Sequence, residues 1–447
     1  MQKTGLLLIV PALALYSQAL PEPFDGGITY SRTLHVSPSG TGAGNGTAGA
    51  PFDTLQRAVR EATPGTRILL HAGTYKGATT LTGLKGEPGK PIAISGDGNV
   101  TLEAAGGSII LAGSDLRYVV IEGLTLRGST THAINIDDGG SYEVPTEHLI
   151  LRNLTIAGSG SGGNNDCIKL SGVDKFLVTK TNVSGCNRGE IIDMVGCHDG
   201  IITGNYFHDT VASGVQTKGG SSDILIHGNV FSDIPGRAVN AGGSTDLPFF
   251  RPIDAPHEAA RISVIANLFL RNGAMSGANI AYVGCDGCLF AHNTIVDPKS
   301  WVVRILQETK AARFAPSRNG QFVNNIIQFQ MGDIRTFVNV GADTAPETFL
   351  FGSNLWYATD QGATWAGPNL GNNIPPETGS ILQRDPMLAN LAGHDPRIAA
   401  DSPARGAGRP IPSITAPDVE GKPWAQPPTI GAFEPGTQRR RPGARPR

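Results

Sequence analysis

Short apolar stretches recur along the chain at a spacing near 24 residues. Residues 199–205 (DGIITGN) recur as residues 223–229 (DILIHGN), and the same spacing carries Val183 onto Phe207 and Phe231. The stretches are three to six residues long and are bounded by Gly, Asn, Asp and Ser, as strands are, while helical periodicity is nearly absent. This repeat favours a solenoid in which each coil contributes short parallel strands, stacked about 4.8 Å apart.

Two other all-β folds fit this spacing less well. A β-propeller blade takes about 40 to 50 residues, and a hairpin sheet would need two-residue turns where the sequence has none. We therefore predict a right-handed parallel β-helix of roughly ten coils over residues 66–360, its hand following from the general preference of parallel crossovers.

One segment has a helical pattern. Residues 53–62 carry a single apolar face, with Asp53 as the expected N-cap and Gln56 three residues later as its capping-box partner. Because an open solenoid end exposes its apolar interior, we expect this helix to close the N-terminal end, within a segment spanning residues 20–65. Residues 361–435 are expected to pack on the β-helix as a C-terminal segment.

The two termini differ from the rest in composition. Residues 1–19 combine Lys3, an apolar run and the small residues Ser17 and Ala19, the pattern of a secretory signal peptide. The run is short for a membrane span, so we expect a secreted protein, extracellular or periplasmic, without a membrane anchor. The Pro- and Arg-rich residues 436–447 are expected to form a disordered basic tail.

Composition narrows the class of protein further. Gly supplies 59 of the 447 residues, about twice its usual share, which suits a chain that turns often. The formal net charge is only −2, so we expect no nucleic-acid partner, and we expect a monomer. The five cysteines are an odd number, which leaves at least one unpaired within the chain, and residues 285–288 (CDGC) predict a buried pair or a local disulfide.

Both ends of the chain resemble a known family. Residues 35–40 (HVSPSG), 50–55 (APFDTL) and 72–75 (AGTY) resemble the opening of parallel β-helix polysaccharide lyases and of their β-helix repeat relatives, the pectate-lyase-like superfamily. Residues 401–404 (DSPA) and 430–434 (IGAFE) resemble the closing segment of such secreted solenoids. The resemblance implies the fold and a carbohydrate-active protein, and lyases of this kind often hold calcium. It does not fix the chemistry, because one fold hosts lyases, hydrolases and non-enzymes.

Stacked coils place equivalent residues in columns, and one column breaks the apolar pattern. If the apolar residues of four consecutive strands point inward, five polar residues point outward on one face. We call these five the outer stripe: Lys169, Asp193, Gln216, Lys218 and Asn240. A strict spacing of 24 would instead place Thr217 beside Asp193, so the prediction requires a bulge or a phase shift between those two strands.

Further charged residues surround the outer stripe, namely Asp166, Glu190, Arg237 and Arg251. A ladder of surface ion pairs, such as Lys169 with Asp193, is the alternative to a functional site. His198 and His208 in the neighbouring turns are either proton donors or hydrogen-bonded turn residues. A long insertion at residues 245–260, which contains Phe249, is expected to wall a groove.

The leading functional hypothesis is a polysaccharide lyase that cleaves a uronate-containing chain by β-elimination. This reaction needs a base and a cation that neutralises the carboxylate. We expect Lys218 to be the base, with Arg237 nearby to disfavour its protonated form, and Arg237 or Arg251 to neutralise the uronate. The residues expected to help to bind and orient the sugar are Lys169, Asp193, Gln216, Asn240 and His198.

Calcium and two other functions stay open. Asp166 and Glu190 offer oxygen ligands for a calcium ion. A glycoside hydrolase could pair Asp193 with Asp166 or Glu190, at the separation of about 6.5–9.5 Å that inversion requires, and a non-catalytic carbohydrate-binding solenoid is the third hypothesis. Trp301 and Arg304 on a later strand are expected to extend the outer stripe, with Trp301 either stacking on sugar or buried.

Overall fold

The structure, a computed structural model, describes residues 23–160, 165–275, 277–371 and 373–435. The expected signal peptide and basic tail lie outside these residues. The predicted right-handed parallel β-helix is confirmed, with about 11 turns. No helix in the described ranges is long and apolar enough to span a membrane.

The N-terminal half of the described chain contains one helix and short strands. In order, they are β1 (Arg32–Val36), α1 (Leu55–Glu61), β2 (Thr66–Lys76), β3 (Thr79–Thr80), β4 (Ile92–Glu103), β5 (Leu111–Ser114), β6 (Arg117–Glu122), β7 (Thr125–Arg127), β8 (Ile134–Asp137), β9 (Thr146–Arg152), β10 (Thr155–Ser159), β11 (Ile168–Ser171), β12 (Val173–Thr179), β13 (Asn182–Cys186), β14 (Ile192–Val195), β15 (Ile201–Thr203), β16 (Tyr206–His208), β17 (Val215–Lys218), β18 (Ser221–Ser222), β19 (Leu225–His227), β20 (Val230–Ser232) and β21 (Val239–Gly242).

The C-terminal half continues the same pattern with β22 (Ala259–Ala260), β23 (Ser263–Ile265), β24 (Leu268–Leu270), β25 (Ala278–Val283), β26 (Cys285–Asp286), β27 (Leu289–Ala291), β28 (Thr294–Val296), β29 (Ser300–Leu306), β30 (Gln321–Val323), β31 (Ile326–Phe329), β32 (Ile334–Val340), β33 (Leu350–Gly352), β34 (Leu355–Ala358), β35 (Ile381–Leu382), β36 (Leu388–Asn390) and β37 (Asp395–Ile398). Short 3-10 helices lie at Leu247–Phe249, Met331–Asp333, Pro346–Thr348 and Leu391–Gly393.

Each coil contributes strands to separate parallel columns. Among the described residues, ten strands form the sheet that carries the outer stripe, in the order β3, β5, β8, β11, β14, β17, β21, β25, β29 and β32. Two further columns run beside it, for example β15, β19 and β23 in one and β16, β20 and β24 in the other. A small sheet of β18, β22 and β26 fills a corner between columns.

Like residues stack on one another inside the solenoid. The rings of Phe207, Phe231 and Phe269 lie on successive coils with centroid distances of 5.3 and 4.9 Å, and all three are fully buried. A one-residue slip would turn each ring toward solvent, so the stack holds the strands in register.

A buried column of asparagines lies along one set of turns. Five of its six side-chain amides donate a hydrogen bond of 2.9 to 3.1 Å to the side-chain oxygen of the asparagine on the next coil, and the last donates to Glu377. The same oxygen accepts the backbone N–H of the preceding asparagine at 2.8 to 3.0 Å. We call this column the asparagine ladder: Asn205, Asn229, Asn267, Asn293, Asn325 and Asn354.

The helix α1 lies at the N-terminal end of the solenoid, as expected, but its start differs from the prediction. Thr54 is the N-cap and makes no capping hydrogen bond. Asp53 instead forms an ion pair of 2.9 Å with Arg57, one turn along the helix. Gln56 exchanges two hydrogen bonds with the backbone of Thr80 in β3. Both members of the expected capping box are therefore engaged elsewhere.

Four of the five cysteines are paired. Cys167 and Cys186 form a disulfide between neighbouring coils, and Cys285 and Cys288 form a local one. Cys197 is the unpaired, buried cysteine that the odd number required.

Candidate functional site

The strand register settles the conflict over Asp193. Strands β14 and β17 pair Ile192 with Val215 and Asp193 with Gln216, so the spacing falls from 24 to 23 residues at this rung. The phase shift required by the apolar pattern is therefore present. The adjacent pairings place Lys169 on one side of Asp193 and Asn240 beyond Gln216.

Asp193 is the centre of a chain of polar contacts along the outer stripe. Its Oδ2 atom pairs with the ammonium group of Lys169 and lies 3.3 Å from Nζ of Lys218. Its Oδ1 atom accepts a hydrogen bond of 3.1 Å from Gln216, whose own amide oxygen accepts one of 2.6 Å from Asn240. Asp193 and Asn240 are fully buried, so the outer stripe points outward from the solenoid but is covered.

A buried acidic cluster adjoins this chain at the start of the strands. Asp166, Glu190 and Asp193 each have a carboxylate oxygen within 4.8 Å of the others. The Oδ1 atom of Asp166 accepts the backbone N–H of Glu190 at 2.9 Å. Its Oδ2 atom is buried without a hydrogen-bond partner among the described residues, and Nζ of Lys169 lies 3.7 Å away.

The members of this cluster differ in protonation. Burial, together with the negative charges of Asp193 and Asp166, raises the pKa of Glu190 to about 8. Burial also acts to raise the pKa of Asp193, but the cations Lys169 and Lys218 outweigh it and hold the pKa below its usual value. Glu190 therefore keeps its proton near neutral pH while Asp193 is ionised.

Arg237 adds a further contact to the polar chain, just before the strand that carries Asn240. It donates to the side-chain oxygen of Asn240 at 3.2 Å and forms an ion pair of 2.8 Å with Glu308. The charge beside Lys218 is the carboxylate of Asp193, so the expected arrangement, in which Arg237 disfavours the protonated lysine, is not the one observed.

Arg251 and His198 lie outside the outer stripe. Arg251 makes two hydrogen bonds of 2.7 Å with the carboxylate of Asp174 and others to the backbone oxygens of Gly196 and Tyr142. All three of its guanidinium nitrogens are bound within the protein, and its assignment to a uronate stays a prediction of the sequence.

His198 lies in the corner between columns, where its ring contacts Ser222 at 3.0 Å, and burial lowers its pKa. His208, in β16, contacts Asp209 and Asn182. Both rings therefore have hydrogen-bond partners away from the outer stripe. This arrangement favours the hypothesis of hydrogen-bonded residues over that of proton donors.

A groove of about 510 Å³ opens beside Lys169 and Lys218. Tyr142 and Phe249, whose exposed fractions are 44% and 61%, lie at its walls. The hydroxyl of Tyr142 donates to the backbone oxygen of Pro248, which joins the two walls. Aromatic rings beside ammonium groups offer both apolar and charged contacts to a ligand.

The long insertion forms one wall of this groove, and we call residues 243–258 the groove loop. Gly243, with φ of +158°, passes so close that a Cβ atom there would lie 3.2 Å from the side chain of Lys218. The buried carboxylate of Glu258 fixes the far end of the loop by accepting the backbone N–H groups of Gly219 and Thr245 at 2.8 and 2.9 Å. The loop therefore covers part of the outer stripe and leaves both lysines at the groove.

Sequence patterns did not reveal several residues of this region. Tyr142 lies in an irregular segment between β8 and β9, outside the repeat. His132 accepts the backbone N–H of Asp166 at 3.0 Å, and Glu308 pairs with Arg237 from 71 residues away. None of these positions has a periodic signal that would have singled it out.

The fold and the site together define a right-handed parallel β-helix with a lysine-lined groove across consecutive coils. Residues 95–251 match the family model for a right handed beta helix region. The chain is similar to the solved structure of pectate lyase Pel9A, with a TM-score of 0.55 and 15% identity over 92% of this chain and 98% of that one. The similarity confirms the fold that the resemblance implied.

Two other solved structures are similar at lower scores. A rhamnogalacturonan lyase gives a TM-score of 0.48 and 13% identity, over 72% of this chain and 87% of that one. An alginate lyase from Paenibacillus sp. str. FPU-7 gives 0.44 and 17%, over 69% and 97%. No curated protein matches the sequence.

Proposed function

We propose that the protein is a carbohydrate-active enzyme, a polysaccharide lyase that cleaves a uronate-containing chain by β-elimination. The observation that carries the proposal is the groove, in which Lys169 and Lys218 lie beside the exposed rings of Tyr142 and Phe249. Ammonium groups pair with uronate carboxylates, and aromatic rings pack on the apolar faces of sugars. The fold shared with a pectate lyase supports the same class.

The two lysines of the groove have different parts in the reaction. Burial acts to lower the pKa of Lys169, but Asp193 and Asp166 outweigh it and raise the pKa. Lys169 therefore stays charged and suits the neutralisation of the uronate carboxylate, the part that the sequence had assigned to Arg237 or Arg251. Lys218 is the base and reacts as the neutral amine, and Asp193 positions the side chains of both lysines.

In the proposed elimination, Lys218 alone takes up and returns the proton. Neutral Lys218 takes the proton alpha to the carboxylate, and the electron pair of that C–H bond forms the new double bond as the glycosidic C–O bond breaks. The lysine ammonium so formed returns the proton to the leaving oxygen. The products are an unsaturated uronate and a new sugar end.

A glycoside hydrolase is the second candidate, and the contrast between Glu190 and Asp193 favours it. A protonated carboxyl beside an ionised one is the arrangement of a general acid and its partner. Their oxygens lie within 4.8 Å, which is closer than the separation of about 6.5–9.5 Å for an inverting enzyme. This short separation favours a retaining hydrolase over the inverting one that the sequence suggested.

The acidic cluster also fits a calcium ion in its donor chemistry. The carboxyl groups of Asp166, Glu190 and Asp193 would hold the ion, Glu190 after losing its proton, and the buried Oδ2 atom of Asp166 has no hydrogen-bond partner among the described residues. Calcium bound there would supply positive charge beside the groove. The ammonium of Lys169 would have to turn away from Asp193 to admit it.

A thermal titration tests the calcium site without reference to activity. If these carboxylates bind the ion, calcium raises the unfolding midpoint of the wild type, because a ligand bound only to the folded state stabilises it. Asp166→Asn should abolish that rise, whereas Glu347→Gln, at an exposed carboxylate, should keep it. An unchanged wild-type midpoint would exclude the site.

Export and oligomeric state stay predictions of the sequence. We propose that residues 1–19 direct secretion and that the enzyme acts as a monomer on a polysaccharide outside the cell. Cleavage of the leader on expression in a secreting host, followed by light scattering of the product, checks both.

The product assay decides among the three functions. Polymers of galacturonate, mannuronate and guluronate are incubated with the protein, and both ultraviolet absorbance and reducing ends are measured. We expect both to rise, because elimination creates an unsaturated uronate. Reducing ends without absorbance would indicate the hydrolase, and binding without either signal would indicate a non-catalytic protein.

A further inference from the structure

The column that contains Asp193 continues beyond Asn240 across two more strands. Residues Asn240, Ala281 and Arg304 are neighbours on β21, β25 and β29. Lys218 shares its strand with Gln216, so Arg304 lies three rungs further along the solenoid, about 14 Å at the usual strand spacing. Arg304 is therefore in line with Gln216 along the solenoid axis, and Lys218 lies two residues further along its strand than Gln216.

Arg304 has no hydrogen bond or ion pair to any residue in the described part of the chain, and its Nε atom is buried without a partner. Its guanidinium lies 4.6 Å above the ring of Trp301, whose exposed fraction is 8%. Trp301 is therefore the buried support of Arg304, and the ring is not an open surface for a sugar.

The other arginines near this face are paired. Arg237 pairs with Glu308 at 2.8 Å and Arg251 with Asp174 at 2.7 Å. Arg304 is therefore a cation held in a fixed orientation by an aromatic ring, with hydrogen-bond donors left over.

The charge around Arg304 favours an anion. Burial, and then the nearby positive charge of Arg237, lowers the pKa of Arg304, and Glu308 opposes this only in part. A carboxylate beside Arg304 would offset this remaining positive charge and accept hydrogen bonds from its unused donors.

We propose that Arg304 is the cation of a second subsite, which binds another carboxylate of the acidic polysaccharide about three rungs from Lys218. This subsite rests on the proposed function for the identity of its ligand. The subsite makes the affinity depend on chain length, because only an oligosaccharide long enough to contact both Lys218 and Arg304 gains the second ion pair.

Binding of a length series of oligogalacturonates and oligoguluronates, measured by calorimetry at low salt, tests the subsite. Arg304→Gln should weaken the binding of the long oligomers by about tenfold, since a charge-assisted hydrogen bond is lost, and should leave the disaccharides unaffected. Arg304→Lys should restore only part of the affinity, because an ammonium group lacks the planar fork. Arg60→Gln removes the same charge from an exposed position on α1 and should change nothing.

The outcomes separate this proposal from the lyase proposal. Equal affinities of wild type and Arg304→Gln at every length would overturn the subsite and leave the lyase chemistry to the product assay. Binding that depends on Arg304, with no cleavage by the wild type, would overturn the lyase and keep the subsite. If the wild type binds none of these oligomers, the subsite is excluded. Thermal midpoints of both Arg304 variants close to that of the wild type would show that lost affinity does not reflect unfolding.

Discussion

Two polar columns run along the same solenoid, and they are built differently. The asparagine ladder repeats one residue on successive coils, and each amide in its interior is bonded to the next. The outer stripe changes residue type at every rung, from lysine to aspartate to glutamine to asparagine. The amides of the ladder bond mainly to one another. The stripe instead adjoins a groove and the Oδ2 atom of Asp166, which has no hydrogen-bond partner among the described residues.

The difference distinguishes polar residues that stabilise the fold from polar residues that could act on a ligand. Identical buried amides satisfy their own donors and acceptors, so they stabilise the turns and leave nothing for a ligand. Charged groups close together shift each other's pKa values: against the effect of burial, Lys169 and Lys218 lower the pKa of Asp193, whereas burial and the neighbouring carboxylates raise that of Glu190. Perturbed pKa values beside a cavity are typical of functional sites.

The largest expected effect falls on the outer stripe. Lys218→Ala should lower turnover by about 10²- to 10⁴-fold, the usual contribution of a general base. The free energy of unfolding should fall by only about 1 kcal/mol, because Lys169 and Gln216 continue to hold Asp193. Lys218→Arg should be equally inactive, since guanidinium does not accept a proton. Initial rates by ultraviolet absorbance and denaturant titration measure both quantities.

Lys175→Ala is the matched control for Lys218, because Lys175 is a half-exposed lysine that pairs with Glu147 on another column. It should retain full activity. Wild-type rates in Lys218→Ala would remove Lys218 from the mechanism. Activity that survives in Lys218→Ala but is lost in Asp193→Asn would favour the hydrolase.

The asparagine ladder should show the opposite behaviour. Asn267→Ala removes the acceptor of two hydrogen bonds from Asn229 and the donors to the backbone oxygens of Ile226 and Ile265. Buried groups without partners should lower the free energy of unfolding by about 3 kcal/mol. Turnover per folded molecule should stay unchanged.

Asn135→Ala is the comparison for the ladder, because Asn135 is half-buried beside Lys169 on the outward face. It should cost less than about 0.5 kcal/mol of unfolding free energy. Similar losses from both asparagine variants, measured by denaturant unfolding, would show that the ladder is no more structural than the stripe.

The sequence predicted the repeat and the outward residues because both follow from local periodicity. The alternation of apolar residues placed Asp193 beside Gln216, whereas the 24-residue spacing would have placed it beside Thr217. The alternation is the better guide because burying an unpaired carboxylate among apolar residues would be costly. The contacts that the sequence missed join distant, irregular segments. Arg251 reaches Asp174 over 77 residues and Tyr142 over 109, and no periodic signal connects such positions.

The pH dependence of stability sharpens the contrast between the two columns, since the ladder has no titratable group whereas the stripe adjoins Glu190 of the acidic cluster. Glu190 holds its proton up to about pH 8 when folded but releases it near 4.5 when unfolded. The folded state therefore binds more protons between these values, and the unfolding free energy should fall as pH rises through that window. Glu190→Gln has no proton to lose at this position, so its unfolding free energy should not fall in this way. At pH 9 it should exceed that of the wild type by about 1 kcal/mol, a value reduced because Glu190 is partly exposed.

Glu347→Gln controls for the loss of one carboxylate, because Glu347 is exposed and away from the cluster. Its stability should track that of the wild type across the range. A difference between wild type and Glu190→Gln that does not change from pH 5 to pH 9, in denaturant unfolding, would mean that Glu190 is ionised throughout.

The smallest expected effect concerns the aromatic wall of the groove beside the outer stripe. Phe249→Ala should raise KM several-fold and leave kcat unchanged, because a stacked ring contributes about 0.5–1.5 kcal/mol to binding and does not touch the reacting atoms. Stability should not change, since the ring is 61% exposed. Tyr142→Phe keeps the other ring but removes its hydrogen bond to Pro248, so it separates loss of a stacking surface from loosening of the groove loop. A lower kcat in Phe249→Ala, at unchanged KM, would show that the wall orders the catalytic lysines and does not bind the sugar.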